Sequence, residues 1–322
     1  MSDISLSGVT PETMVLTSKG YEPIGSLRDQ DVQIWNGEEF EKTQVIRVAQ
    51  DQPILQLKTQ NTLELECTAD HTFYVQPGLM PNKLYIAQAQ ELEYDTKLPR
   101  IPDSPICEGG DKIFPHAYTH GFYMGVEKYH RSRLKTSRAP IFGARRPLLE
   151  KLDLDQQETT KISLHFKESL PADFEVPLSP EYSVETKLEW LAGLFDGGLH
   201  KRKEKPIPIW HLYSDNVDFL YQIKLMLQTL GVDSRHVKNE DPKYLHYSLR
   251  VRGKAMEILR DLGIPTNIIK FQDVHVKPNG PNGTRPTRIL SVEDAYKTSD
   301  VYNFAGTNKK TAIFNGILSA SN

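Results

Sequence analysis

The sequence predicts an all-β framework assembled from the two ends of the chain and interrupted in the middle by an α/β insertion. Residues 9 to 98 and 287 to 318 read as short alternating runs separated by turn residues, whereas the stretch between them shifts to longer helical runs. Insertion is tolerated at loop tips of a host domain, so the two β-rich parts are expected to complete one core. With 322 residues, there is chain enough for about two domains. Thirty-nine basic against forty-two acidic side chains give a net charge of −3. That excludes a global field for nucleic acid or membrane and leaves only local clusters. Two cysteines, Cys67 and Cys107, exclude a disulfide framework. No apolar run approaches the roughly 18 residues of a spanning helix, and the opening residues lack the regions of a secretion signal. The expectation is a cytoplasmic protein with no membrane partner, acting as a monomer.

In chain order, strands are expected at Met14 to Thr17, Val32 to Trp35, Gln44 to Val48, Ile54 to Leu57 and Phe73 to Val75. Lys19-Gly20, Asn36-Gly37 and Gln60-Asn61 mark the turns. Helical runs cover 112 to 127, 184 to 199, 214 to 231 and 253 to 263, which fits two α/β modules in one region. Residues 277 to 286 are rich in Pro, Gly and Asn and read as a linker. Strand texture returns at Thr287 to Val292, Val301 to Phe304 and Ala312 to Leu318.

The run Gly8-Val9-Thr10-Pro11-Glu12-Thr13-Met14-Val15-Leu16-Thr17 resembles the opening block of inteins, the self-splicing members of the Hint family. Thr68-Ala69-Asp70-His71 resembles their Thr-x-x-His block, and Asn315-Gly316-Ile317-Leu318 with Ser321-Asn322 resembles the closing block. The resemblance implies a horseshoe-like all-β Hint splicing domain made from residues 8–102 and 276–322. Residues 1–7 would then be upstream flank or vector sequence, and residues 103–275 the insertion. It also implies the chemistry: an acyl shift onto the first side chain, a proton from His71 to the leaving nitrogen, and Thr68 or Asp70 holding the scissile group. At the far end Asn322 would cyclise. No cofactor is expected for splicing, and the flanking extein segments are the partners.

Departures from the pattern are expected to abolish splicing. Gly8 occupies the nucleophile position with no side chain, and Ser7 lies on the wrong side of the bond that the motif would break. Ser321 is penultimate, and Lys310 stands where many relatives carry another His. Cys67 reads as a small buried hydrophobe.

Leu191-Ala192-Gly193-Leu194-Phe195-Asp196-Gly197-Gly198 resembles the LAGLIDADG helix of homing endonucleases, and Tyr118 to Glu127 reads as a degenerate first copy. Gly121 and Gly125, like Gly193 and Gly197, are four apart, so each helix would carry a bare stripe. Glycine costs about 1 kcal/mol relative to Ala inside a helix. Close approach of two helices accounts for the stripes and predicts pseudo-twofold symmetry. In active relatives, acids after the second glycines hold Mg²⁺. Here those places are Val126 and Gly198, so a cleavage-dead domain without Mg²⁺ is expected. Glu127 lies one residue from Val126 and Asp196 two from Gly198 along their helices, so both should point elsewhere.

Lys128, Arg131, Arg133, Lys135 and Arg138 follow the first helix, and Lys201, Arg202 and Lys203 the second. They are placed to contact the phosphates of double-stranded DNA, a homing site in the host gene. His116, His120, His211 and His236 lack zinc spacing. The opening block looks most like inteins of ribonucleotide reductases. The alternatives are a DNA-binding module on a Hint-like scaffold without splicing, and a relative of hedgehog-type autoprocessing domains, which the terminal Asn322 disfavours.

Overall fold

Asn315 and Gly316 join two of the last strands by a two-residue loop, both with positive φ (+49° and +77°). That is the type I′ turn that an Asn-Gly pair favours, because its twist matches that of the flanking strands. The computed structural model describes residues 7–76, 84–99, 104–133, 171, 175–198, 210–238, 247–267 and 286–320, with the side chains of 126–133 and 235–238 outside that description.

The first part of the chain forms β1 (Met14–Leu16), β2 (Tyr21–Pro23), a 3-10 turn (Ile24–Leu27), β3 (Asp31–Trp35), β4 (Phe40–Thr59), β5 (Glu64–Cys67), β6 (Thr72–Val75), β7 (Tyr85–Gln88) and β8 (Lys97–Leu98). In the middle stand α1 (Ala117–Arg133), α2 (Val184–Gly198), β9 (Trp210–Ser214), α3 (Val217–Gln228), β10 (Arg235–Lys238), β11 (Tyr247–Val251) and α4 (Lys254–Asp261). The chain closes with β12 (Thr287–Phe304), β13 (Thr311–Phe314) and β14 (Ile317–Ala320).

As expected, the two ends build one framework. β12 pairs with β4 along most of its length, shifting register as the ribbon bends, and with β8. β1 sits between β2 and β13, so the first and last strands share one sheet. Val9 and Tyr302 exchange two backbone hydrogen bonds of 3.0 and 2.9 Å. Apolar residues from both parts, among them Val9, Ile34, Leu65, Phe73, Ile289, Phe304 and Phe314, form one buried core. The apolar alternation along each strand puts these residues on one face.

The inserted region has its own core. Its antiparallel sheet runs β10-β11-β9, and Trp190, Phe195, Trp210, Phe219 and Leu249 pack in the interior. Helix α3 starts where the Asn216 side chain accepts the Phe219 N–H at 3.0 Å. A smaller cluster of Leu16, Tyr21, Cys107, Leu225, Ile313 and Leu318 joins the two regions, and the Tyr21 hydroxyl donates to Gln228 Oε1 across it at 2.8 Å. The outer limits at residues 7 and 8 are followed by β-framework. The boundaries at 102/103 and 275/276 fall outside the described residues.

Candidate functional site at the junction of the chain ends

The turn between β5 and β6 carries Thr68 and His71, and it is closed by the His71 N–H donating to the Thr68 carbonyl at 3.1 Å. Residue 8 runs antiparallel beside it. The Gly8 N–H donates to Thr68 Oγ1 at 3.1 Å, and the Thr68 N–H donates to the Gly8 carbonyl at 3.0 Å. From the other side, Asn303 Nδ2 at the end of β12 donates to the Ser7 carbonyl at 3.0 Å. The Ser7–Gly8 peptide is therefore gripped at both its oxygen and its nitrogen. Thr68, His71, Asn303 and Ser7 are all buried, so these bonds lie away from water, where each counts for more.

His71 stands edge-on between Phe73 and Phe314, with centroids 5.1 and 5.7 Å away. Ser7 Oγ lies 3.3 Å from its Nδ1, and Ser319 Oγ of β14 lies 3.2 Å from its Nε2. Burial pushes its pKa down to about 4, against a smaller upward pull from Asp70. At neutral pH the ring is thus uncharged, with one nitrogen donating and the other accepting. Asp70 is half-buried in the same turn.

The arrangement brings Gly8, Thr68, Asp70 and His71 together. It does not include Lys310, which is exposed with φ +51° at the foot of β13. Ser321 and Asn322 lie outside the described residues. Two groups that the sequence reading passed over belong here, Asn303 and Ser319, together with Ser7, which it set aside as a nucleophile. Asn303 had a legible signal, since it is a polar residue in the apolar run Val301 to Phe304. Cys67 is fully buried in β5 and its thiol is pushed far up by burial, which makes it inert.

Residues 185–262 match the family model of the LAGLIDADG-like domain. The chain is 26% identical over 347 aligned residues to the ribonucleoside-diphosphate reductase large subunit of Invertebrate iridescent virus 6, covering 96% of this chain and 35% of that protein. It thus spans about a third of the length of that relative. The chain thus carries a LAGLIDADG-like region in its middle. Among solved structures, the G-1F mutant of the Ssp DnaB mini-intein variant M86 gives a TM-score of 0.35 at 9% identity, covering 98% of this chain and 99% of that one. The M86 variant itself gives 0.34 at 9%, covering 98% and 94%.

Helix α2 lies in the matched LAGLIDADG-like region and packs against α1, and the glycines of the two helices meet each other's backbone. A Cβ on Gly121 would lie 2.0 Å from the Trp190 carbonyl oxygen, and one on Gly193 1.9 Å from that of Tyr118. Gly125 and Gly197 face Leu194 and Phe122 in the same reciprocal way, at 2.6 and 2.3 Å. Near the helix ends, Gly198 offers no ligand. The buried Asp196 carboxylate accepts from the Tyr118 hydroxyl at 2.9 Å and the Asn267 N–H at 2.6 Å. His120 is also structural, its Nδ1 accepting from Trp190 Nε1 at 2.9 Å. The Val126, Lys128, Arg131 and Arg133 side chains, and all of Lys135, Arg138, Lys201, Arg202 and Lys203, lie outside the description.

Proposed function

We propose that this chain is a protein-splicing element whose N-terminal acyl shift and C-terminal Asn322 cyclisation serve to excise it from a host protein, and that Gly8 blocks the first step at the Ser7–Gly8 bond. One observation carries the reading: the grip on that peptide. Asn303 Nδ2 on the Ser7 carbonyl is placed to stabilise the oxygen as it becomes negative. Thr68 holds the nitrogen that would leave, and His71, whose Nδ1 lies 3.3 Å from the Ser7 hydroxyl, serves as the proton carrier. Only the attacking atom is missing, because residue 8 has no side chain.

The relative named above makes a ribonucleoside-diphosphate reductase large subunit the natural choice of host, with its flanking segments as exteins. The inserted domain supports a second role, binding a double-stranded site in the host gene without cutting it. Both LAGLIDADG copies lie in one chain, so the protein acts as a monomer. The buried, unpaired thiols of Cys67 and Cys107 suit a reducing cytoplasm. Among the described residues no helix is long and apolar enough to cross a membrane.

The test is Gly8→Cys in a full precursor with upstream sequence and a Cys after Asn322. Joined flanks, or thiol-sensitive cleavage after Ser7, are expected. A folded precursor that yields neither leaves a DNA-binding module on a Hint-like scaffold. For DNA, affinity for the host site should fall steeply with salt, and a flat response would remove that role. Plasmid with Mg²⁺ should stay uncut.

A further inference from the structure

Helix α3 is apolar on two sides. Phe219, Ile223, Met226 and Leu227 turn into the core of the inserted region, while Tyr221 and Leu225 pack into the cluster that joins the two regions. The buried Gln228 continues that second stripe, since positions 221, 225 and 228 share one face of a helix. A helix covered on both faces is an interior layer, so the inserted region is built into the β-framework at this point.

The layer beneath α3 is the sheet β14-β13-β1-β2, and both of its faces are occupied. Ile313 and Leu318 pair across β13 and β14 and share the cluster with Leu225, Leu16 and Tyr21. Their neighbours along each strand point the opposite way. Ala312 pairs with Ser319, whose Oγ meets His71 Nε2 at 3.2 Å, and Phe314 lies edge-on to the imidazole. A single sheet is therefore the wall between α3 and His71. Two contacts fix the helix to that wall. The Tyr21 hydroxyl donates to Gln228 Oε1 at 2.8 Å, and the same oxygen would lie 3.1 Å from a Cβ on Gly316, in the turn that leads into β14. Just past the helix, the Cys107 N–H donates to the Thr229 carbonyl at 2.8 Å and the Glu108 N–H to the Ser18 carbonyl at 2.9 Å, which straps the helix end to the loop between β1 and β2.

Resting on the splicing reading above, we propose that Leu225 and Gln228 of the inserted region are positioning residues of the splicing site, holding β13 and β14 at the depth where Ser319 meets His71. Among the described strands β14 pairs with β13 alone. Backbone bonding thus fixes one edge of β14, and packing must fix its height above the imidazole. Leu318 takes that packing from α3, and Ser319 is the next residue. A shift of β14 by about 1 Å toward α3 would carry Ser319 Oγ out of hydrogen-bond range of Nε2.

The experiment reads the His71 ring nitrogens by NMR at neutral pH in the full chain, with urea midpoints as the measure of stability. Leu225→Ala opens space beside Leu318, and Tyr21→Phe leaves Gln228 without its donor. Each should change the tautomer ratio about fivefold, the lower end of coupling between two sites. Tyr21→Phe with Gln228→Met replaces both polar partners by apolar ones of similar shape and should restore the ratio. Leu259→Ala, in the core of the inserted region on α4, should lower the urea midpoint with the ratio unchanged. In the Gly8→Cys precursor, Leu225→Ala and Tyr21→Phe should slow the joining of flanks about fivefold. Folded Leu225→Ala and Tyr21→Phe with an unaltered ratio overturn the proposal. So does an equal response to Leu259→Ala, which would mean general loosening, or a changed ratio with an unchanged rate of joining. A precursor that joins no flanks, beside a ring that answers to Leu225→Ala, removes the splicing reading and leaves α3 as the support of His71.

Discussion

Ser319 Oγ stands 3.2 Å from His71 Nε2, on the ring edge opposite the one that faces Ser7. The last described strand thus touches the same imidazole that the Ser7 hydroxyl contacts. This contact crosses 248 positions of sequence, and it exists because β14 follows β13, which pairs with β1.

Replacing Ser319 by Ala should release that ring edge. The Ser319 hydroxyl is the Nε2 partner, and losing a buried hydrogen-bond partner costs about 1 to 3 kcal/mol, so the balance of the two ring tautomers should change. Nitrogen NMR of the His71 ring at neutral pH is expected to show one tautomer in the unaltered protein and a mixture in Ser319→Ala. Ser319→Thr, which keeps the hydroxyl, should retain the single form.

His71 should also make the fold acid-sensitive. Its pKa is 6.5 when unperturbed and about 4 when buried here. Between those values the unfolded chain takes up a proton that the folded site refuses. Its contribution is therefore complete above the higher value and is lost as pH falls through the window, by about 3 kcal/mol in total. Asp70, the charged neighbour, softens the effect because it favours the protonated ring. Urea midpoints compared across that window should fall more for the unaltered protein than for His71→Gln, which has nothing to titrate.

The Asn-Gly turn ties three segments together. Asn315 Oδ1 accepts from the Met14 N–H at 2.7 Å, and its Nδ2 donates to the Glu64 carbonyl at 2.9 Å. Asn315→Ala loses both bonds and places Ala at φ +49°. A loss of about 2 kcal/mol in urea unfolding is expected, whereas Asn315→Asp should lose less, since it keeps the acceptor and tolerates that backbone.

Much of this architecture was legible in advance, for definite reasons. Period-two runs bounded by Gly and Asn revealed the framework, and the motif order revealed that its two parts belong together. Glycines four apart revealed the helix pair, because only a backbone contact justifies their cost. The roles of Ser7, Asn303 and Ser319 were not legible. Which way Ser7 points depends on the strand register of Val9 against Tyr302, and Ser319 meets His71 only through a sheet that joins both ends. A motif specifies residue types at spacings along the chain, and neither contact follows from spacing.

The helix pair offers a graded test of that glycine argument. At Gly121 and Gly193 an added Cβ would fall about two ångströms from a carbonyl oxygen of the partner helix, so both helices must move apart. Separation would open the interior around Trp190, Leu191 and Phe195, which are fully buried. Gly121→Ala or Gly193→Ala should therefore destabilise by about 3 kcal/mol, at the upper end of overpacking costs. Gly198 differs, because its added Cβ would meet only the Gly125 Cα and carbonyl oxygen, both at 3.9 Å. There Ala makes ordinary contact and improves helix propensity by about 1 kcal/mol. Gly198→Ala is thus expected to be neutral or slightly stabilising in the same urea titration. Equal losses at positions 121 and 198 would mean that the glycines serve something other than close helix approach.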